Sequence, residues 1–206
     1  MKTIPLLENK IKDGKKVYAI EGLNGVGKST LIGNLKRRYK NICTTYCVPE
    51  IFMEPKDLKH FVLDHKEPFV GALYYFSGLV AKSSEIKKIP EDFVILDRSI
   101  WSTVASAYSK DQKTASVLMS MLQLLNDKIR IPDRVIVLKA SFESCLERIR
   151  TKCEGQEFDK DTKRDFEMKS EFYDVLAQSG YPVTFVRTDG NTAEDTFAMV
   201  SKIISE

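Results

Sequence analysis

A glycine-rich segment near the amino terminus contains the clearest chemical pattern of the sequence. Residues 22–29 read GLNGVGKS and match the spacing G-x-x-x-x-G-K-[ST] without a gap. Glycines at these positions let successive backbone N–H groups point toward one centre, where they form a nest for an anion. An apolar run precedes the segment and a helical pattern follows it, and the amino end of such a helix adds partial positive charge. The segment therefore predicts a phosphate-binding loop.

The loop also supplies side chains that suit a nucleoside triphosphate. We expect Lys28 to reach the β- and γ-phosphates, the Ser29 hydroxyl to coordinate Mg²⁺, and Thr30 to help cap the phosphate end. The predicted phosphate-binding residues are Gly22, Asn24, Gly25, Val26, Gly27, Lys28, Ser29 and Thr30.

An acidic residue and an arginine follow a later apolar run, which reads VILDRS at residues 94–99. Asp97 would lie beside the phosphate loop and hold Mg²⁺, directly or through water. Arg98 indicates a second anion, either an acceptor phosphate or the γ-phosphoryl group in transfer. Glu50, at the end of another predicted strand, would face the same crevice. There it could bind the acceptor, act as a general base or hold the metal through water.

An aromatic-rich helical pattern at residues 69–86 is a candidate for recognition of a nucleobase. Tyr74, Tyr75 and Phe76 are consecutive and therefore cannot share one helix face. One of them could stack on a base, and Phe76 is our first choice.

A charged stretch at residues 145–166 changes from a helical pattern into a loop that contains glycine. We expect a small mobile lid, at about residues 151–162, that closes over phosphates and excludes water. The candidate cations are Arg148, Arg150, Lys152, Lys163 and Arg164.

Strand and helix patterns alternate along the whole chain and must position these side chains. Alternation of this kind predicts an α/β fold of three layers, in which a five-stranded parallel sheet has helices on both faces. Ligands of such sheets bind at the carboxyl ends of the strands. The strands are predicted at 16–21, 42–50, 92–98, 133–140 and 182–187, and the helices at 28–39, 54–88 with a break near 67–68, 101–128 with a break near 110–111, 142–150 and 192–204.

The composition is that of an ordinary globular protein. The chain has 206 residues, 43% of them hydrophobic, and a net charge of +3. No dense Lys/Arg tract suggests a nucleic-acid polymer as a partner, and no apolar window is long enough for a membrane span. The amino terminus does not resemble a signal peptide, and the four cysteines form no C-x-x-C pair, so we expect reduced thiols and a cytoplasmic location.

The motifs EGLNGVGKST, DRS, PDRVIVL, ERIR and FYDVLA occur in the order found in thymidylate kinases. The sequence resembles that family over nearly its whole length. The resemblance implies one P-loop NTPase-fold kinase domain over residues 1–206, usually a homodimer, that transfers the γ-phosphoryl group of ATP to a nucleoside monophosphate with Mg²⁺. It thereby implies a role in nucleotide biosynthesis.

The resemblance also implies roles for single residues. Asp97 and Arg98 would lie between donor and acceptor, Phe76 would stack on the acceptor base, and either Arg148 or Arg150 would be the donor-side arginine of the lid. The segment 188–195 would border the adenine.

Departures from the family pattern concern the acceptor. Asn24 replaces an acid that usually binds the acceptor sugar, and Val80 stands where an arginine would contact thymine. Ser102 matches the family's S-x-x-A-Y helix, but Ala107 and Tyr108 come two residues late. Ser102 and Tyr108 are candidate acceptor contacts, and the acceptor base stays open.

Two other functions are compatible with the motifs. Residues 48–50 (Val-Pro-Glu) and 98–100 (Arg-Ser-Ile) resemble deoxynucleoside kinases, in which Glu50 would be the base that takes the proton of the 5′-hydroxyl. A nucleotide-binding switch or ATPase without a small-molecule acceptor is the other alternative. A GTP switch is disfavoured because the sequence lacks an Asn-Lys-x-Asp stretch.

Overall fold

The computed structural model describes residues 4–5, 7, 10–53, 67–152 and 163–206. The strands are β1 (Lys16–Gly22), β2 (Ile42–Tyr46), β3 (Phe93–Asp97), β4 (Arg134–Lys139) and β5 (Val183–Arg187). The helices are α1 (Lys28–Arg38), α2 (Pro68–Ile86), α3 (Ile100–Lys110), α4 (Gln112–Leu124), α5 (Phe142–Lys152), α6 (Lys163–Gln178) and α7 (Ala193–Ser205), with a 3₁₀ turn at Glu50–Met53.

The five strands form one parallel sheet in the order β2-β3-β1-β4-β5. This arrangement confirms the predicted α/β class. The strand that precedes the phosphate loop is central, because β1 pairs with both β3 and β4. Residue 20 of β1 is level with Asp97 of β3, so the phosphate loop and the Asp97-Arg98 pair begin at the same edge of the sheet.

Alternate side chains of the strands pack on opposite faces of the sheet. On β4, Val135 and Val137 belong to a core that includes Trp101 of α3 and Phe172 of α6. Their neighbours Ile136 and Leu138 belong to a second core, with side chains of α1 and α7. Helices therefore cover both faces of the sheet. Because both sets of alternate side chains are buried, the strands are apolar along nearly their whole length.

A predicted break separates the helices α3 and α4 at Asp111. The Asp111 side chain accepts hydrogen bonds from the backbone N–H groups of Lys113 (3.1 Å) and Thr114 (2.9 Å) and so caps the second helix. Hydrogen bonding to Thr114 also lowers the pKa of the Asp111 carboxyl. The break predicted near residues 110–111 is confirmed.

The charged stretch after α5 differs from the prediction. Lys163 and Arg164 begin the helix α6 rather than lying in a loop, because Phe172, Tyr173 and Leu176 form an apolar face that packs in the core. Most of the predicted lid, residues 153–162, lies outside the described residues. Among the described helices, none is long and apolar enough to cross a membrane.

Candidate active site

The phosphate loop joins the end of β1 to the beginning of α1. Its backbone depends on glycine at Gly22, Gly25 and Gly27, where φ is +133°, +84° and +99°. A Cβ atom on Gly25 would also lie 2.5 Å from the Cys145 carbonyl oxygen, and one on Gly22 would lie 2.5 Å from that of Leu138. The glycines therefore provide both the turn and the close packing of the loop against α5 and β4.

Lys28, the first residue of α1, is buried with its ammonium group against the loop. Its Nζ donates hydrogen bonds to the carbonyl oxygens of Gly22 (2.9 Å) and Leu23 (2.7 Å). Burial and, to a smaller extent, the charge of Arg98 lower the pKa of Lys28 to about 7, while the charges of Glu21 and Asp97 oppose the shift. A phosphate anion at the loop would favour the charged form of this lysine.

Asp97 ends β3 beside the phosphate loop and is only partly buried. Burial raises the pKa of its carboxyl, and the charges of Arg98 and Lys28 oppose that rise. Ser29 is exposed in the first turn of α1. A carboxylate and a hydroxyl that are completed by phosphate oxygens and water suit Mg²⁺. The described residues contain no cluster of three or more His, Cys, Asp or Glu that would form an all-protein metal site.

Arg98 adopts a left-handed backbone with φ of +66°. This conformation is unfavourable for a residue other than glycine, and here its N–H donates to the Ile20 carbonyl oxygen (3.1 Å). The guanidinium donates to Asn24 Oδ1 (3.0 Å) and to Ser102 Oγ (3.4 Å). Arg98 therefore bridges the phosphate loop and α3.

A cavity of about 530 Å³ opens beside Asp97 and Arg98. Its volume is in the range of small-molecule sites. Its wall combines apolar side chains with hydroxyls, since Tyr75 and Ala72 of α2 lie on it together with Ser102 and Thr103 of α3. We assign it as the candidate acceptor cavity.

The structure changes the assignment of the stacking aromatic. Phe76 is only 3% exposed and lies in the hydrophobic core, so it is not on the cavity wall. Its neighbour Tyr75 lies there instead. Consecutive helical side chains point in different directions, so the rotation of α2 that buries Phe76 in the core turns Tyr75 toward the cavity.

Three other candidate residues differ in their placement. Ser102 lies on the acceptor cavity as expected. Tyr108 is buried, and its hydroxyl donates to Glu171 of α6 (2.9 Å), so it joins two helices. Glu50 is exposed in the turn after β2.

A second cavity, of about 190 Å³, lies on the other side of the phosphate loop. Val26, Gly27 and Thr30 border it, as do Arg148 and the segment from Thr188 to Thr196. Arg148 donates to the Thr188 hydroxyl (3.0 Å) and to the Thr188 carbonyl oxygen (2.9 Å). Arg150 is exposed, so Arg148 is the better placed of the two candidate donor-side arginines.

A third, polar cavity of about 130 Å³ lies where the loop meets α3 and α6. Arg98 and Asn24 line it together with Lys169 and Tyr173 of α6. Lys169 and Tyr173 were not predicted as site residues. The sequence around the start of α6 was interpreted from its charges, and the apolar spacing that reveals the helix was not used.

Comparisons of the sequence with known proteins agree on one family. A family model described as thymidylate kinase matches residues 20–196. The thymidylate kinase of Mycoplasmopsis pulmonis is 25% identical, and the match covers 97% of this chain and 93% of that protein. A probable thymidylate kinase of Caldivirga maquilingensis is also 25% identical, over 88% of this chain and 91% of that protein.

Solved structures share the fold. The thymidylate kinase of Candida albicans superposes with a TM-score of 0.67 at 21% identity, covering 93% of this chain and 91% of that one. A structure of deoxyadenosine kinase from M. mycoides with bound dATP gives a TM-score of 0.70 at 15% identity, covering 92% of this chain and all of that one. These likenesses support the P-loop NTPase fold.

Proposed function

The chain belongs to the thymidylate kinase family of nucleoside monophosphate kinases, and we propose that it transfers the γ-phosphoryl group of ATP to the phosphate of a nucleoside 5′-monophosphate, with Mg²⁺. The observation that carries the proposal is the position of Arg98. Its side chain reaches the phosphate loop at Asn24 and also lines the 530 Å³ acceptor cavity. Donor and acceptor phosphates would therefore meet at one guanidinium.

The donor would occupy the phosphate loop and the 190 Å³ cavity beside it. Loop N–H groups and Lys28 would bind its phosphates, and Arg148 and the segment after β5 would border its adenine. Ser29 and Asp97 would hold Mg²⁺, which neutralises charge on the phosphates during transfer.

The acceptor would lie in the 530 Å³ cavity with its base against Tyr75 and its phosphate toward Arg98. A monophosphate already carries an oxyanion, so the reaction needs alignment and charge neutralisation more than a general base. The polar 130 Å³ cavity supports a phosphate-bearing acceptor, because Lys169 faces the same small space as Arg98.

The test compares three variants. Lys28→Ala and Arg98→Ala should each lower turnover by at least about 10²-fold, the scale of removing one preorganised charge from a transition state. Glu50→Gln should leave turnover near that of the wild type, because no base is required. Near-full activity of Lys28→Ala or of Arg98→Ala would overturn the proposal. A loss in Glu50→Gln comparable to that in Lys28→Ala would indicate a nucleoside acceptor and a deoxynucleoside kinase reaction.

We also propose that residues 1–206 form one kinase domain and that the protein is a homodimer, as its resemblance to thymidylate kinases implies. Light scattering on the purified protein measures the mass in solution. A mass of twice 23.5 kDa supports the dimer, and the mass of a single chain contradicts it.

A further inference from the structure

A buried carboxylate lies beneath the site and takes no part in the mechanism described so far. Glu21, the residue before the phosphate loop, is 0% exposed. Its carboxylate accepts hydrogen bonds from the hydroxyls of Ser99 (2.6 Å), Ser102 and Tyr173 (2.9 Å). These donors come from the turn after β3, from α3 and from α6, so one side chain of β1 joins three other parts of the fold.

A carboxylate is costly to bury and remains charged only where donors and opposite charges compensate for lost hydration. The three hydroxyls supply donors, and the positive charge of Lys28 interacts with the carboxylate. Burial and the charge of Glu21 raise the pKa of Tyr173 well above its usual range, so this hydroxyl keeps its proton and remains a donor.

The direction of the hydrogen bonds connects Glu21 to Arg98. The Ser102 hydroxyl donates a hydrogen bond to Glu21, so its oxygen is oriented to accept from the Arg98 guanidinium (3.4 Å). Ser99, next to Arg98 in the chain, donates to Glu21 and also accepts from the Trp101 N–H (3.2 Å), which caps α3. Both the side chain and the strained backbone of Arg98 are thus supported from Glu21.

We propose that Glu21 is a positioning residue for phosphoryl transfer, which holds Arg98 through the Ser102 hydroxyl and through the turn at Ser99. Glu21 is buried and is placed to act through its neighbours, and its hydrogen bonds lead through Ser102 to Arg98. The inference rests on the proposed function, because Arg98 must act on the transferred group for its orientation to matter.

The test is a double-mutant cycle of Glu21→Gln with Arg98→Ala, measured in single turnovers with labelled ATP so that slow variants give rates. Glu21→Gln keeps the size of the side chain and removes its charge. It should lower the rate about 10- to 100-fold, since small misplacements of a catalytic group cost up to about 10²-fold. In the Arg98→Ala background the same change should alter the rate less than about twofold, because coupled residues are not additive.

A second, milder pair of variants serves where Glu21→Gln does not fold. Tyr173→Phe removes one donor to Glu21, whereas Tyr181→Phe removes another buried tyrosine hydroxyl, which donates to the Pro132 carbonyl oxygen. Tyr173→Phe should lower the rate at least about threefold with Arg98 present and not in the Arg98→Ala background. Tyr181→Phe should lower the melting temperature and keep the rate within about twofold.

The outcomes separate the two proposals. Multiplicative effects in the cycle, or equal rates for Tyr173→Phe and Tyr181→Phe, would overturn the positioning role while the wild type still phosphorylates a monophosphate. Absence of phosphoryl transfer from wild-type protein to every monophosphate would instead overturn the proposed function.

Discussion

At the scale of single residues, the site concentrates charges that a nucleotide would rebalance. Burial and the nearby charge of Arg98 both disfavour the charged form of Lys28. The acids Glu21 and Asp97 offset part of this effect. Bound phosphates would add negative charge beside both cations and so favour the charged form of Lys28.

Nucleotide binding should therefore take up a proton at Lys28. Its pKa of about 7, well below the ordinary 10.5, leaves the amine largely neutral at about pH 8, and triphosphate binding raises the pKa again. Calorimetry of ATP binding in buffers of different ionisation enthalpy should show uptake approaching about one proton at that pH and less as the pH falls below 7. Lys28→Met should abolish the uptake, and equal uptake by this variant would contradict the assignment.

Neighbouring aromatic residues of α2 should have separate roles. Tyr75→Leu should raise the KM of the acceptor about tenfold or more, the scale of losing one aromatic stacking contact with a base, and leave the KM of ATP unchanged. Phe76→Leu should lower the free energy of unfolding by about 1 kcal/mol without changing the KM of the acceptor. A raised acceptor KM in Phe76→Leu alone would restore Phe76 as the stacking residue.

Local patterns made some site residues predictable and left others open. The phosphate loop and the Asp97-Arg98 pair follow from short motifs at strand ends, whose geometry hardly depends on distant residues. The choice between Tyr75 and Phe76 depends on how α2 is rotated against the core, and the sequence of that helix is aromatic on several sides. Glu21 gave no signal because its role depends on hydroxyls 78 to 152 residues away.

At the scale of elements, the phosphate loop packs tightly against α5. The position of Gly25 is fixed by the Cys145 backbone, which a Cβ atom would approach to 2.5 Å. Because Arg148 is on the same helix, a displacement of α5 would disturb both the loop and the donor-side arginine.

Gly25→Ala should therefore weaken ATP binding at least about tenfold, which corresponds to about 1.4 kcal/mol. Gly14→Ala is the matched control, because Gly14 has a similar φ of +73° and open space around its Cα. The control should lose about 1 kcal/mol of stability from backbone strain and bind ATP as the wild type does. Equal effects on ATP binding would show that the contact with α5 is unimportant.

At the opposite ends of the strands, the buried Arg130 side chain is the centre of an ion network. Arg130, between α4 and β4, pairs with Asp13 (3.2 Å) and Asp133 (2.8 Å) and donates to the carbonyl oxygens of Ile131 and Lys15. The arm before β1 is thereby attached to the entry of β4, away from the phosphate loop.

Arg130→Met should lower the free energy of unfolding by about 3 kcal/mol, because it leaves the buried Asp13 carboxylate without its partner. Arg134→Met removes the more exposed pair with Glu206 (3.4 Å) and the contact of the guanidinium with the Tyr18 ring (5.6 Å), and should cost only about 1 kcal/mol. Urea unfolding curves measure both changes. Similar midpoints for the two variants would contradict a stabilising role for the network.

Most elements could be predicted because apolar runs and caps are local signals. Asp111 is an example, since a capping residue in a long helical pattern marks the break that the structure shows. The helix α6 was not predicted, because its first half is so highly charged that only contacts with the core reveal its apolar face.

At the scale of the whole molecule, the parallel sheet places two cavities on either side of one loop. The central position of β1 brings α5 and the segment after β5 to one side, and the ends of β2 and β3 to the other. Such an arrangement suits a donor and an acceptor whose phosphates meet above the carboxyl ends of the strands.

The most direct measurement gives the purified protein γ-labelled ATP, Mg²⁺ and, separately, each common nucleoside and nucleoside 5′-monophosphate, and identifies the labelled product. Our account predicts that label appears in a nucleoside diphosphate and that the reaction requires a monophosphate. Label in a nucleoside monophosphate made from a nucleoside, or in inorganic phosphate whatever acceptor is added, would contradict it.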